Sequence, residues 1–190
     1  MGPGAKKEEN FKNRTVVKVA ADPSRFDSGD PELQCYLPGV PRANYMPHPF
    51  QIFQTPELIM VVYEYRGAVR SIYMTDQGEP PTETWMGSSR GRWDGDTLVV
   101  DVTSFNSYTW FDRAGNFHSD ALHVVERYTP MSPSHLMYEA TIEDPKVFTR
   151  PWKMRFPIYR RLEENVQLVD FNCVQFEQEL MYGPLGLYSK

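Results

Sequence analysis

The chain's 190 residues suit a single domain with its own core, and a content of 41% hydrophobic and 24% charged residues excludes a disordered chain. Its 20 lysines and arginines stand against 25 aspartates and glutamates, so the net charge of −5 repels phosphate backbones and argues against a nucleic-acid partner. Apolar runs such as Leu58–Tyr63 are far shorter than the roughly 20 residues of a spanning helix, so membrane insertion is not expected.

The N-terminal part of the chain is polar, and residues 1–34 are predicted to form an arm with one short strand at residues 15–20. The first ten residues lack an apolar stretch, so no signal peptide is expected in the chain as it stands. Prolines recur between residues 35 and 56 and predict extended, irregular chain, because proline fixes φ and removes a hydrogen-bond donor. Residues 35–190 are predicted to form one β domain.

Paired runs of β-branched and aromatic residues predict three hairpins. The first joins residues 58–65 to 68–74 through Arg66 and Gly67. The second joins residues 85–93 to 97–102 through Asp94, Gly95 and Asp96, which suit the positive φ of a tight turn. The third joins residues 122–129 to 136–142. Two more strands are predicted at residues 152–159 and 166–176, and a final short helix at residues 176–181.

Helical periodicity is weak throughout the chain, so the predicted fold class is all-β. Sequential hairpins favour an antiparallel meander of about eight strands, and such a sheet avoids exposed edges by closing on itself. We therefore predict a closed or nearly closed lipocalin-like barrel.

Several short motifs are distributed between residues 54 and 145: Gln54-Thr-Pro, Tyr63-Glu-Tyr, Trp85-Met-Gly, Gly91-Arg-Trp-Asp-Gly-Asp-Thr-Leu-Val-Val, Thr109-Trp-Phe-Asp, His118-Ser-Asp-Ala-Leu-His-Val-Val-Glu-Arg and Thr141-Ile-Glu-Asp-Pro. Together they resemble a family of β-rich, largely exported bacterial proteins, and the resemblance runs from about residue 35 to residue 173. It implies no particular reaction. Members of the family often begin with an export signal, so this chain resembles a shortened version of them.

The two cysteines, Cys35 and Cys173, lie near opposite ends of the chain. Their spacing alone leaves open a disulfide or two buried thiols, because pairing depends on geometry. The family resemblance implies that the two are bridged and that the protein is periplasmic or extracellular.

The densest polar cluster of the sequence contains His118, Asp120 and His123. A carboxylate beside an imidazole can orient it for proton transfer near neutral pH, so these three are predicted as catalytic acid–base residues. A hydrogen-bonded loop is the plainer alternative. The same residues, with His48 or His135, could instead be metal ligands, but no standard ligand motif is present and neither metal nor other cofactor is predicted.

The first hairpin contributes the predicted substrate-binding residues Tyr63, Tyr65, Arg70 and Tyr73. Tyr63 and Tyr65 share a strand face, and the planar guanidinium of Arg70 can bind a carboxylate. Similar residue types serve small barrel decarboxylases of phenolic acids, although tyrosines that only cover the sheet are the alternative. Further substrate-binding candidates are Trp110, Asp112, Glu126, Arg127 and Glu139.

These residues predict a cofactor-independent lyase or isomerase that acts on a small apolar or aromatic molecule inside the barrel. A lipocalin-like binding protein without chemistry is one alternative, and a structural domain of an exported assembly is another. The expected partner is a small-molecule ligand, and self-association into a homo-oligomer is left open.

Overall fold

A computed structural model describes residues 30–78 and 80–174 of the chain. Two short 3-10 helices lie at Pro31–Gln34 and Arg42–Asn44. Eight strands follow: β1 (Phe50–Gln54), β2 (Leu58–Tyr63), β3 (Val69–Tyr73), β4 (Ser88–Asp94), β5 (Thr97–Thr103), β6 (His123–Ser132), β7 (His135–Glu143) and β8 (Trp152–Tyr159). In this part of the chain no helix is long and apolar enough to cross a membrane.

The eight strands form one sheet in the order of the sequence, from β1 to β8, and the sheet curls into a half-barrel. The all-β prediction is thereby confirmed. The pure antiparallel meander is wrong at one point, since β3 and β4 pair in parallel through Ile72–Ser89 and Tyr73–Arg90. Residues 74–87 between these strands form a connection long enough to carry the chain back to the same end of the sheet, as parallel pairing requires.

The three predicted hairpins are present, and their turns have the expected chemistry. Arg66 and Gly67 between β2 and β3 both adopt positive φ, at 60° and 57°. Gly95 has a φ of 59° in the two-residue turn that joins Asp94 of β4 to Thr97 of β5. Mirror-image turns of this kind match the right-handed twist of paired strands, so local sequence determines the register of these pairs.

Other predicted elements differ from the structure. The region expected to be irregular contains β1, because Pro49 and Pro56 flank the strand and leave its own residues free to pair with β2. The strand predicted at residues 166–176 is wrong for residues 166–174, which form no strand. Their β-type pairing is limited to one isolated bridge between Phe171 and Tyr65. The strand predicted at 15–20 and the helix predicted at 176–181 lie outside the described residues.

Alternate side chains of the strands point into the concave face of the half-barrel and form the core. On β6 Val124, Glu126 and Tyr128 share one face, as the alternation in the sequence predicts, and the structure shows that this face is the buried one. The apolar core residues of the strands are Ile59, Val61, Ile72, Leu98, Val100, Val102, Val124, Ala140 and Ile142.

The segment before the sheet contains a buried ion pair and carries a disulfide to the far end of the described chain. Asp30, which falls in the predicted arm, is buried and accepts a hydrogen bond from Arg42 at 2.8 Å. Cys35 forms a disulfide with Cys173, at a sequence separation of 138 residues. The bridge implied by the family resemblance is therefore present, and it ties the chain that precedes β1 to the chain that follows β8.

We expect loss of this disulfide to destabilise the fold, because a bridge across so long a loop restricts the unfolded chain. Replacing both Cys35 and Cys173 with Ser should lower the free energy of unfolding by about 2–4 kcal/mol in urea denaturation. Reduction of the unaltered chain should give a similar loss. Equal stability of the oxidised and reduced chains would contradict this role.

Candidate functional site

A buried polar cluster lies at the centre of the concave face. Its ionic pair consists of Arg70 on β3 and Glu126 on β6, which are 2% and 0% exposed. Glu126 is flanked across the sheet by Val100 and Ala140, two short side chains that leave room for a guanidinium above the carboxylate. The remaining members of the buried polar cluster are Asn44, Tyr63, Ser89, Tyr128 and Tyr138.

The guanidinium of Arg70 binds Glu126 with two nitrogens. Nη2 contacts carboxylate oxygen Oε2, and Nη1 donates to Oε1 at 3.1 Å. Its Nε donates to the hydroxyl of Ser89 at 2.9 Å. This fork geometry is the strongest form of a charge-assisted pair and holds both groups in fixed positions.

Three neutral side chains donate to the same carboxylate. Glu126 Oε1 accepts from the hydroxyl of Tyr138 at 2.8 Å, from Tyr128 at 3.1 Å and from the amide of Asn44 at 3.0 Å. The hydroxyl of Tyr63 donates to Asn44 Oδ1 at 2.9 Å. All polar side-chain atoms of the buried polar cluster therefore have partners, as a buried charge requires.

Burial changes the ionisation of these groups. It raises the pKa of Tyr63 to about 12 and the pKa values of Tyr128 and Tyr138 well above the usual range. Burial alone would lower the pKa of Arg70, but the carboxylate of Glu126 beside it raises that pKa instead. At neutral pH the buried polar cluster thus contains a charged arginine and neutral phenols.

Two neighbouring pockets share part of their lining, and one of them reaches the buried polar cluster. The inner pocket has a volume of about 110 Å³, and Tyr128 forms part of its wall. The outer pocket, of about 700 Å³, lies among β1, the turn between β6 and β7, the end of β8 and part of residues 160–168. Three side chains, Phe50, Ile52 and Leu136, line both pockets, and these three are called the neck.

The structure brings together some of the predicted substrate-binding residues. Tyr63, Arg70 and Glu126 meet in the buried polar cluster. Tyr65 shares the inward face with Tyr63 but donates its hydroxyl hydrogen bond to the backbone of residue 32, away from the cluster. Tyr73 lies on the outward face of β3 and is 39% exposed, because it is an odd number of residues from Arg70 along the strand.

The predicted catalytic residue His118 is a packed core side chain. Its ring is 2% exposed and lies against Phe105 and Phe111. One ring nitrogen is 2.5 Å from the hydroxyl of Thr109, and the other is 2.9 Å from the carbonyl oxygen of Ser119. Burial lowers the pKa of His118, which favours a neutral imidazole at neutral pH.

The other two residues of the predicted acid–base group lie elsewhere. Asp120 forms an ion pair with Lys146 at 2.6 Å, and His123 contacts Asp101 at 2.9 Å on the outer side of the sheet. Neither these two residues nor His118 line the inner or outer pocket. The structure therefore does not bring the three together around a shared ligand.

The remaining candidates also lie away from the two pockets. Asp112 accepts hydrogen bonds from Asn116 in a loop, and Trp110 pairs with Phe117 through a backbone bridge. Arg127 and Glu139 face outward, where they pair with Asp94 and Lys153. Residues 30–78 and 80–174 contain no group of three His, Cys, Asp or Glu side chains placed to hold a metal ion.

The sequence analysis missed several members of the site. Tyr128 could have been found, because it follows Glu126 on the same face of β6. Tyr138 carries the same signal on β7, directly opposite Tyr128 in the register. Asn44 and Ser89 had no such signal, since a short 3-10 helix and a strand end bring them in from distant parts of the chain.

Comparisons of the chain with protein-family models, with curated proteins and with solved structures found no match.

Removal of one charge from the buried pair should be strongly destabilising. We expect Glu126→Gln to lower the free energy of unfolding by about 3–5 kcal/mol, because Arg70 would remain buried without a counter-charge. Glu139→Gln is the matched control on the outer face of β7, where loss of an exposed ion pair should cost less than about 1 kcal/mol. Equal stabilities of the two variants in urea denaturation would show that the buried pair is not required.

The raised phenol pKa values predict loss of stability in alkali. A phenol whose folded pKa exceeds its unfolded value of about 10 stabilises the fold fully below that pH and progressively less above it. The free energy of unfolding should therefore fall between about pH 10 and the pKa of about 12 given for Tyr63. Tyr63→Phe should make the fall shallower, whereas Tyr159→Phe, at a 70% exposed position, should not. A stability that is constant over this range would contradict the buried, neutral state.

Proposed function

We propose that the protein binds a small apolar or aromatic molecule in the concave face of its half-barrel. The observation that carries this proposal is the pair of pockets that share the apolar side chains of the neck. An outer pocket of about 700 Å³ falls within the usual size of small-molecule sites. The inner pocket adds the apolar side chains of Ile59, Val61, Ile72 and Leu98, and Gln54 and Asp96 also belong to its lining.

The buried polar cluster holds part of the wall of this binding site in a fixed position. Tyr128 belongs to both the cluster and the wall of the inner pocket, so the ion pair fixes the side chain that a ligand would meet. A site whose wall is already ordered loses little conformational freedom when a ligand enters. The protein would then share with lipocalin-like barrels a curved sheet whose concave face surrounds a ligand.

A cofactor-independent lyase or isomerase is the second candidate function. The same position of Tyr128 favours it, because a phenol at the end of a pocket can exchange a proton with a ligand. However, the Tyr128 hydroxyl already donates to Glu126 and accepts from Asn44. We therefore propose ligand binding as the first candidate function and catalysis as the second.

We also propose that the protein acts outside the cytoplasm. Its Cys35–Cys173 disulfide is of the kind that forms and persists in oxidising compartments. Such a location is compatible with a protein that captures or delivers a small molecule.

Blocking the neck should abolish ligand binding. Ile52 lines both pockets and is 44% exposed, so Ile52→Trp adds bulk at the neck without disturbing the core. We expect this variant to weaken binding of the neutral dye N-phenyl-1-naphthylamine by at least about tenfold, since the dye would lose its apolar contacts. Fluorescence titration gives the dissociation constant.

The matched control for this experiment is Phe53→Trp. Phe53 is the next residue of β1, is 45% exposed and lines neither pocket. The Phe53→Trp variant should bind the dye with the same dissociation constant as the unaltered chain. Binding that is equally strong in both tryptophan variants would place the dye outside the neck, and absence of dye binding by the unaltered chain would refute the proposed function.

A further inference from the structure

The outer pocket is lined by basic side chains, although the protein as a whole is acidic. Its polar side chains include Arg160, Arg161, His48 and His135, and none of its lining residues is an aspartate or glutamate. The chain as a whole has a formal charge of −5. Among the described lining residues, arginine donors without a carboxylate beside them in the wall would attract an anion at short range.

Arg160 is the cation best placed to bind such an anion. Its backbone nitrogen donates to the carbonyl oxygen of Ser134 at 2.8 Å, which anchors the residue beside the turn between β6 and β7. Arg161, in contrast, already pairs with Glu163 at 3.3 Å. Within residues 30–78 and 80–174 the guanidinium of Arg160 has no carboxylate partner, so its donors remain available to a ligand.

The two histidines of the outer pocket, His48 and His135, each have a partner within the protein. His135 Nδ1 lies 2.6 Å from the hydroxyl of Ser132, so this contact orients the ring in the pocket wall. His48 lies 3.7 Å from Glu64, which compensates its charge whenever the imidazole is protonated. Arg160 thus provides the permanent charge, and His135 provides a polar wall near it.

Apolar side chains continue from the outer pocket to the inner pocket. Phe50, Ile52 and Leu136 form the neck, and Ile158 lines the outer pocket beside them. The inner pocket, at about 110 Å³, has room for an apolar group of roughly the size of one aromatic ring. The outer pocket with Arg160, the neck and the largely apolar inner pocket therefore follow one another along the chamber.

We infer that the ligand is an apolar carboxylate, with its hydrocarbon part in the inner pocket and its carboxylate on Arg160. This inference rests on the proposed function, because it assigns a chemical class to the ligand of the same chamber. Arginine suits the task, since its planar guanidinium can bind a carboxylate through two parallel hydrogen bonds. Aromatic acids and fatty acids share this chemistry.

The test is displacement of N-phenyl-1-naphthylamine by 2-naphthoate and by 2-naphthamide, its neutral counterpart of similar shape. We expect the carboxylate to compete about tenfold more strongly than the amide, as a charge-assisted hydrogen bond implies. Arg160→Gln should reduce this preference, measured as the ratio of the two inhibition constants, to about twofold or less. Parallel titrations with decanoate and decanamide show whether a fatty or an aromatic body fits better.

Arg155→Gln is the matched control. Arg155 lies on β8, is exposed like Arg160 and lines neither pocket, so this variant should keep the full preference for the carboxylate. Equal displacement by acid and amide would overturn the inference while dye binding still supported the proposed function. A preference that is lost equally in both arginine variants would also overturn it. Failure of the unaltered chain to bind the dye would refute both proposals.

Discussion

One buried ion pair constrains the shape of the whole sheet. Arg70 is on β3 and Glu126 on β6, and two other strands separate them in the sheet. Their side chains can meet only across the concave face, so the bond exists only while the sheet is curled. If either residue stayed buried without its partner, the unpaired charge would cost several kcal/mol. The curvature of the sheet and the ion pair therefore stabilise each other. The tyrosines and Asn44 complete this arrangement by satisfying the remaining acceptor positions.

The sequence predicted those parts of the fold that depend on neighbouring residues. The hairpin turns follow from glycine placement, and the residues that share a face of β6 follow from alternation with period two. The parallel pairing of β3 with β4 could not be predicted in this way, because it depends on the path of residues 74–87 through space. Strand β1 could not be predicted from proline content, because Pro49 and Pro56 flank the strand without interrupting it.

The site was predictable to a similar extent. Tyr63, Arg70 and Glu126 could be nominated as chemically suitable residues, but alternation alone left open which face of β6 points inward, and the structure shows that Glu126 does. His118, Asp120 and His123 were grouped by closeness in sequence, yet one lies in the core and two lie at the surface. Closeness along a chain does not bring side chains together when a turn and a strand direct them to different faces. The pockets themselves depend on the gap between β1 and the end of β8, which no local pattern reveals.

The chamber beside the ion pair is proposed to receive the apolar part of a ligand. A crystal structure of the protein with N-phenyl-1-naphthylamine tests this claim most directly. We expect a ring of the dye in the inner pocket, between Leu98 and Tyr128, with the Arg70–Glu126 pair unchanged. A dye found only on the outer surface of the sheet, with the inner pocket closed, would contradict it.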